Sequence, residues 1–274
     1  MRFDKVISVC EKKDIEVWKV ASEQLIKKIK SKKYIVIVPQ SEIRLFRSAS
    51  PSEYEVVDEN KYTTNFLHRL EIHKKSSKSN IGWYIQQFIK LSALSEFGED
   101  EIALIWDADT VPLKNIEFEK DGKIVFYKGK EYHKPYFETI KKILNLEKQN
   151  NYSYIAQCMP CKGKWIKSLI ETIEASGNEW QEAIINSIDF SQASSFSEYE
   201  TLGTFIEHNF IDEIKITDQT WQRYGNGLIG GPANLRYFSK ILSRKYDFVS
   251  FEKWDKPYSY YKKYLKIILR MLER

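Results

Sequence analysis

The chain reads as a mixed α/β protein with a mainly parallel central sheet flanked by helices. Three observations predict this. Two short apolar runs, Lys5–Cys10 and Tyr34–Pro39, are separated by one amphipathic stretch, Asp14–Lys30, the spacing of a strand, crossover helix and parallel strand. A later run, Ile102–Trp106, is apolar throughout, as a strand covered on both faces must be. Helical and strand periodicities then alternate, less regularly towards the end of the chain.

In order, Glu55–Asp58 adds a third short strand, and residues 61–80, basic and rich in Lys, Ser and His, read as irregular or partly helical. Asn80 is placed to cap the helix IGWYIQQFIKLSALSEFG, with Gly98 as its C′ stop. The Ile102–Trp106 strand follows directly. Asp121-Gly122 between alternating runs signals a hairpin. Helices are expected at Pro135–Leu146, Trp165–Ser176, Glu179–Ile188 and from about Glu198, with a strand at Ser153–Gln157.

At 274 residues and 42% hydrophobic the chain is long enough for one large domain. We expect residues 1–252 to form it and 253–274 to form a basic amphipathic helix. The net charge of +5 is confined to that last segment, where seven basic residues face only Asp255 and Glu273. A balanced body with a basic tail argues against nucleic acid as partner, which requires a broad basic face. The tail YSYYKKYLKIILRMLER suits either a helix on an anionic membrane surface or a helix packed on its own domain. No run approaches the ~20 apolar residues that cross a bilayer, and the first residues lack a secretory signal, so a cytoplasmic protein is expected, at the inner membrane face if the tail binds lipid. Three cysteines do not make a disulfide framework.

The apolar strand ends in Asp107-Ala108-Asp109, then Pro112. Carboxyl ends of strands are where α/β sheets hold ligands, and two carboxylates one residue apart can share a hard divalent cation. Mn²⁺ or Mg²⁺ held there would face the diphosphate of a nucleotide sugar. Alternatively, DADTV matches the DxDx[TV] signature of haloacid-dehalogenase-type phosphatases, with Asp107 as nucleophile and Asp109 as acid and base. Position argues against that reading, because the phosphatase motif opens its fold. A third reading makes the pair ordinary turn residues bonding to local backbone.

DADTVPL after a hydrophobic strand resembles the DXD motif of GT-A-fold glycosyltransferases. The upstream GWYIQQFIKL and downstream FSEYETLG resemble a group of bacterial glycosyltransferase-like proteins associated with capsule and lipopolysaccharide synthesis, a likeness spanning roughly residues 80–210. The resemblance implies a GT-A-like, Rossmann-like fold, a nucleotide-sugar donor, Mn²⁺ or Mg²⁺, and a glycan or lipid-linked acceptor. Asp109 would then hold the metal directly and Asp107 the metal or the ribose side of the nucleotide. Gln157-Cys158-Met159 stands where histidine is expected in relatives.

Trp83, Gln86, Gln87 and Lys90 recur at spacings of three and four and share one side of their helix. They are either its ordinary polar face or, with the resemblance, groups that meet the diphosphate and sugar hydroxyls, Lys90 and Gln87 foremost. Ser197 and Glu200 form S-x-x-E, a capping box. Glu198 has no such structural explanation, and an inverting transferase needs a carboxylate to take the acceptor's proton; Glu198 is the expected base, Glu200 the second candidate. His208 is the candidate third metal ligand, against the alternative of a partly buried histidine without metal.

Two motifs are set aside. Cys158-Met159-Pro160-Cys161 has redox spacing but lacks the flanking sequence of such a pair. Gly225–Gly230 matches G-x-G-x-x-G without a preceding buried strand, and reads better as a loop bordering the donor pocket. A non-catalytic glycan- or membrane-binding scaffold remains the non-enzyme alternative.

Overall fold

The computed structural model describes residues 1–78, 80–218 and 220–256. The expected tail helix lies almost wholly outside them. Among the described residues no helix is long and apolar enough to cross a membrane.

The first half of the chain lays down β1 (Phe3–Val9), α1 (Ile15–Lys28), β2 (Ser31–Val38), α2 (Ile43–Ala49), β3 (Tyr54–Asp58), α3 (Asn60–Thr63), α4 (Leu67–Ile72), α5 (Ile81–Ser95), β4 (Ile102–Trp106) and β5 (Thr110–Pro112). It continues with β6 (Glu119–Lys120), β7 (Lys123–Tyr127), α6 (Lys134–Leu144), β8 (Cys158–Lys162), α7 (Gly163–Glu174), α8 (Trp180–Ser187) and α9 (Glu198–Phe210). The described residues finish with β9 (Ile214–Thr217), α10 (Gly225–Ile229), α11 (Leu235–Leu242) and β10 (Phe248–Ser250).

The central sheet has strand order β3-β2-β1-β4-β8, parallel except for β8. Its apolar runs are continuous because both faces are covered. Ile7, Ile37, Ile105 and Cys161 enter one hydrophobic cluster, while Val6, Val36, Leu104 and Cys158 enter the other. The chain lays β2 and β3 on one side of β1 and then crosses to β4 on the other. The sheet thus has a switch point between β1 and β4, where a crevice opens at the carboxyl ends.

Helix α5 starts as its sequence dictates: the Asn80 side chain accepts from the Gly82 N–H at 2.9 Å. It stops at Ser95, short of Gly98, whose N–H is instead taken by the Glu101 carboxylate at 2.8 Å. The Asp121-Gly122 hairpin forms between β6 and β7, with φ of 55° and 74° at its two central residues.

Two expectations are corrected. Ser153–Gln157 is not a strand; the strand is CMPCK itself, paired antiparallel to β4 with Cys158 opposite Trp106 and Cys161 opposite Ala103. An odd separation along a strand sends the two thiols to opposite faces, which removes any redox pairing. The glycine-rich stretch is not all loop either, since Gly225–Ile229 is helical.

Two small sheets complete the fold. One joins β6, β7 and β9; the other pairs β5 antiparallel with β10, setting Thr110 opposite Ser250 with their hydroxyls 2.6 Å apart. The second pairing brings the end of the described chain back to the Asp-Ala-Asp turn.

Candidate active site

A cleft of about 200 Å³ opens at the switch point. Val9 at the end of β1 and Asp107 just past β4 form its floor, α5 contributes Trp83, Gln86, Gln87 and Lys90, and α9 contributes Glu198 and Tyr199. The 3.6-residue period that placed the four α5 residues on one side is thereby realised as a cleft wall.

Lys90 is at the centre. Its ammonium lies 2.5 Å from Asp107 Oδ1 and 2.7 Å from Glu198 Oε1. Lys90 is 7% exposed and Glu198 3%, so the pair is dry, whereas the Asp107 side chain keeps 21% of its surface. Burial opposes the charge on Lys90, but Asp107 and Glu198 outweigh it and push the lysine above its ordinary value. Burial raises Glu198, aided by Asp107 and resisted by Lys90. The Tyr199 hydroxyl donates to Asp107 Oδ1 at 2.8 Å, and burial together with Asp107 holds that phenol protonated. Gln87 fixes the start of α9: its Oε1 accepts from the Glu198 N–H at 3.0 Å while its Nε2 donates to the Trp83 carbonyl at 3.3 Å. Gln86 donates to Glu11 Oε1 at 3.1 Å.

Asp109 stands on the other side of the turn among like charges. Burial is the main reason its carboxyl is pushed well up, and Glu252, Asp107 and Asp14 add to it; Thr110 Oγ1, 3.3 Å away, works the other way. The lining holds six carboxylates, Asp14, Asp107, Asp109, Glu131, Glu198 and Glu252, against two cations, Lys90 and Arg223. Gln157 completes the floor at a left-handed φ of 63°, its carbonyl accepting from the Asp107 N–H at 2.9 Å. A non-glycine residue pays a steric cost in that region, which is tolerated where the surroundings hold it.

Two expected site residues lie elsewhere. His208 is exposed near the end of α9, ten residues or about 15 Å along the axis from Glu198, and does not line the cleft. Glu200 points away from Glu198, as a helical step of two residues requires. Ser197 does cap α9, accepting from the Glu200 N–H at 3.3 Å, but the reciprocal half of the box is missing. The Glu200 carboxylate instead accepts from the Ser153 hydroxyl and the Tyr154 N–H and pairs with Lys148 at 3.3 Å, in a buried structural network.

Tyr199, Asp14, Glu131, Arg223 and Glu252 escaped the sequence reading. Tyr199 could have been found, since it sits between the two glutamates that were singled out. Arg223 and Glu252 could not: the β5–β10 pairing brings Glu252, and the bridges of Gln222 to Val249 and Tyr224 to Phe251 bring Arg223, to the cleft across more than a hundred residues of chain. Arg223 donates to Glu252 and also contacts Glu131, spanning one rim of the cleft.

The fold is a glycosyltransferase fold. The solved structure of mouse xyloside xylosyltransferase 1 in its apo form superposes with a TM-score of 0.52 over 93% of this chain and 99% of that one, at 12% identity. No curated protein matches the sequence. Residues 6–258 match one family model, spanning the sheet, the cleft and the returning strand β10, and the chain therefore belongs to DUF6492, a family of unknown function.

Proposed function

We propose that the protein is a glycosyltransferase that moves a sugar from a nucleotide-sugar donor to a glycan or lipid-linked acceptor in bacterial surface-polysaccharide synthesis. The observation that carries this reading is the switch-point cleft in which Lys90 joins Asp107 to Glu198. Six carboxylates against two cations make a poor receptor for a bare diphosphate, yet the crevice is where such a fold holds its nucleotide. A hard divalent cation reconciles the two.

The residues fit Mn²⁺ or Mg²⁺ by donor chemistry. Asp109, Asp107 and Glu252 are hard oxygen donors, and Asp109 is crowded by like charges, with no ion pair to a lysine or arginine among the described residues. Among the described residues these groups do not form a ready-made metal cage, so substrate phosphate and water would have to complete the coordination. Asp109 would hold the ion and Asp107 would share it. When bound, it would neutralise the charge that develops on the departing diphosphate.

The chain's own groups supply the rest. Glu198, buried and raised in pKa, takes the proton of the acceptor hydroxyl. The hydroxyl oxygen bonds to the anomeric carbon as the bond from that carbon to the diphosphate breaks, its electron pair leaving with the nucleotide. Attack from the face opposite the leaving group inverts the anomeric centre. Lys90 keeps Glu198 and Asp107 from repelling each other, and Trp83, Gln86 and Gln87 line the wall against which the donor lies. The basic residues from Lys253 onward would hold this cytoplasmic enzyme at an anionic membrane near its acceptor. Lys90 and Tyr199 both bond to Oδ1 of Asp107, which leaves Oδ2 to share the ion.

Titration calorimetry with nucleoside diphosphates, with and without Mn²⁺, tests the reading. Affinity is expected to rise with Mn²⁺ and to lose that gain in Asp109→Ala; an affinity indifferent to both sinks it.

A further inference from the structure

Two half-exposed aromatic side chains stand beside residues that line the cleft, and the chemistry above uses neither. Tyr224 and Trp254 each keep 54% of their surface exposed, and their rings meet edge to face at 5.5 Å and 84°. Adjoining rings form a contiguous apolar surface with polar edges, the kind of surface on which ligands and partners are held.

The pair is held in place by the cleft itself. Trp254 Nε1 donates to Glu252 Oε2, and the Arg223 guanidinium lies 5.4 Å from the Trp254 ring centre. Both partners line the cleft. Asn226 Nδ2 donates to the Glu252 carbonyl at 2.9 Å, and Asp255 accepts from the Gly227 N–H at 2.8 Å, so the short helix after Tyr224 is tied to the segment carrying Trp254. Trp254 is thus tied to two residues of the cleft wall, which lowers the conformational entropy that binding to it would cost.

We propose that Tyr224 and Trp254 form a saccharide subsite that stacks the C–H face of an acceptor sugar ring and aligns its hydroxyl with the cleft. The assignment of that ring to the acceptor rests on the transferase reading. A sugar ring has an apolar face and a rim of hydroxyls, and it meets here an aromatic surface bordered by Glu252 and Arg223. Lys253 and Lys256 flank Trp254 in sequence, so an anionic bilayer is the competing occupant that the vesicle arm of the test must exclude.

Saturation-transfer NMR on the full chain, with methyl glycosides of common hexoses, hexosamines and pentoses, tests this without a donor. At least one glycoside should receive transfer at its ring C–H protons. Its affinity should fall on the order of tenfold in Trp254→Ala and much less in Trp254→Phe, with nucleoside diphosphate affinity and the circular dichroism spectrum unchanged. Transfer to no glycoside, transfer that survives Trp254→Ala combined with Tyr224→Ala, or variants that lose binding to phosphatidylglycerol vesicles instead, would each overturn the subsite. Glycoside transfer without any nucleotide affinity would leave the subsite standing and remove the transferase reading; nucleotide affinity without glycoside transfer would do the reverse.

Discussion

Replacing Lys90 by methionine keeps the length and apolar stem of the side chain and deletes the one charge shared by two carboxylates. Asp107 can fall back on water, since a fifth of its side chain is accessible; Glu198, at 4%, cannot. Removing one partner of a buried pair typically costs 3–5 kcal/mol, so with one of the two acids rescued by solvent we expect a loss of about 3 kcal/mol at pH 8. The loss must depend on pH. Glu198 is already raised above its ordinary value of 4.5 by burial, and without Lys90 it rises further. A carboxyl with a raised folded value favours folding while protonated and loses that contribution as pH climbs through the folded value. At pH 5 the loss should therefore shrink to about 1 kcal/mol. The double variant Lys90→Met, Glu198→Gln removes charge and countercharge together and should recover most of the stability at pH 8. Urea unfolding followed by circular dichroism at both pH values measures all of this. Equal losses at pH 5 and pH 8, or a double variant no better than the single one, would refute the account of Lys90 as the neutraliser of Glu198.

Gly203 in α9 faces the ring of Tyr154, and an added methyl would stand within that ring; Gly203→Ala is expected to cost about 1–3 kcal/mol, read as a fall in the thermal midpoint, and an unchanged midpoint would show that the helix shifts freely. All three thiols are buried; burial holds Cys10 and Cys158 well above the ordinary range and pushes Cys161 up to about 12, so none should react with a thiol reagent until the chain unfolds, and a native-state burst would contradict this. Asp4 accepts from Lys32 at 2.6 Å and from the Ile102 N–H at 2.8 Å, which holds its carboxyl below the ordinary 3.8. Asp4→Asn should cost about 1 kcal/mol near neutrality, a difference present above pH 3.8 and lost as acid titrates the folded carboxylate; a difference that persists in acid would contradict it.

What could be read from the letters was whatever depends on neighbours in sequence. The β1-α1-β2 unit, the Asn80 cap, the Asp121-Gly122 turn and the common side of Trp83, Gln86, Gln87 and Lys90 follow from local chemistry and helical period. The Ile102–Trp106 run revealed its strand because burial on both faces leaves no polar alternation to confuse it. β8 was misread by one element: Cys158–Lys162 carries a proline and a lysine, and only pairing with β4 makes it a strand. His208 and Glu200 failed for another reason. Residue type proposed them, but position along and around α9 decides, and that geometry sends one to solvent and the other to Lys148. The C-terminal contributors to the cleft could not be read at all, since nothing local to Arg223 or Glu252 announces which turn they will face.

The clasp between β5 and β10 orders events in the life of the molecule. A nascent chain that has emerged as far as β8 holds every strand of the central sheet, together with Lys90 and both aspartates of the turn. It still lacks Glu198, and until residues 248–252 arrive and zip onto Thr110 it also lacks the arginine and glutamate that close the far wall. Competence to hold a substrate thus waits on residues 248–252, after every strand of the central sheet is already made, and a chain cut before Phe248 would lack one side of the cleft.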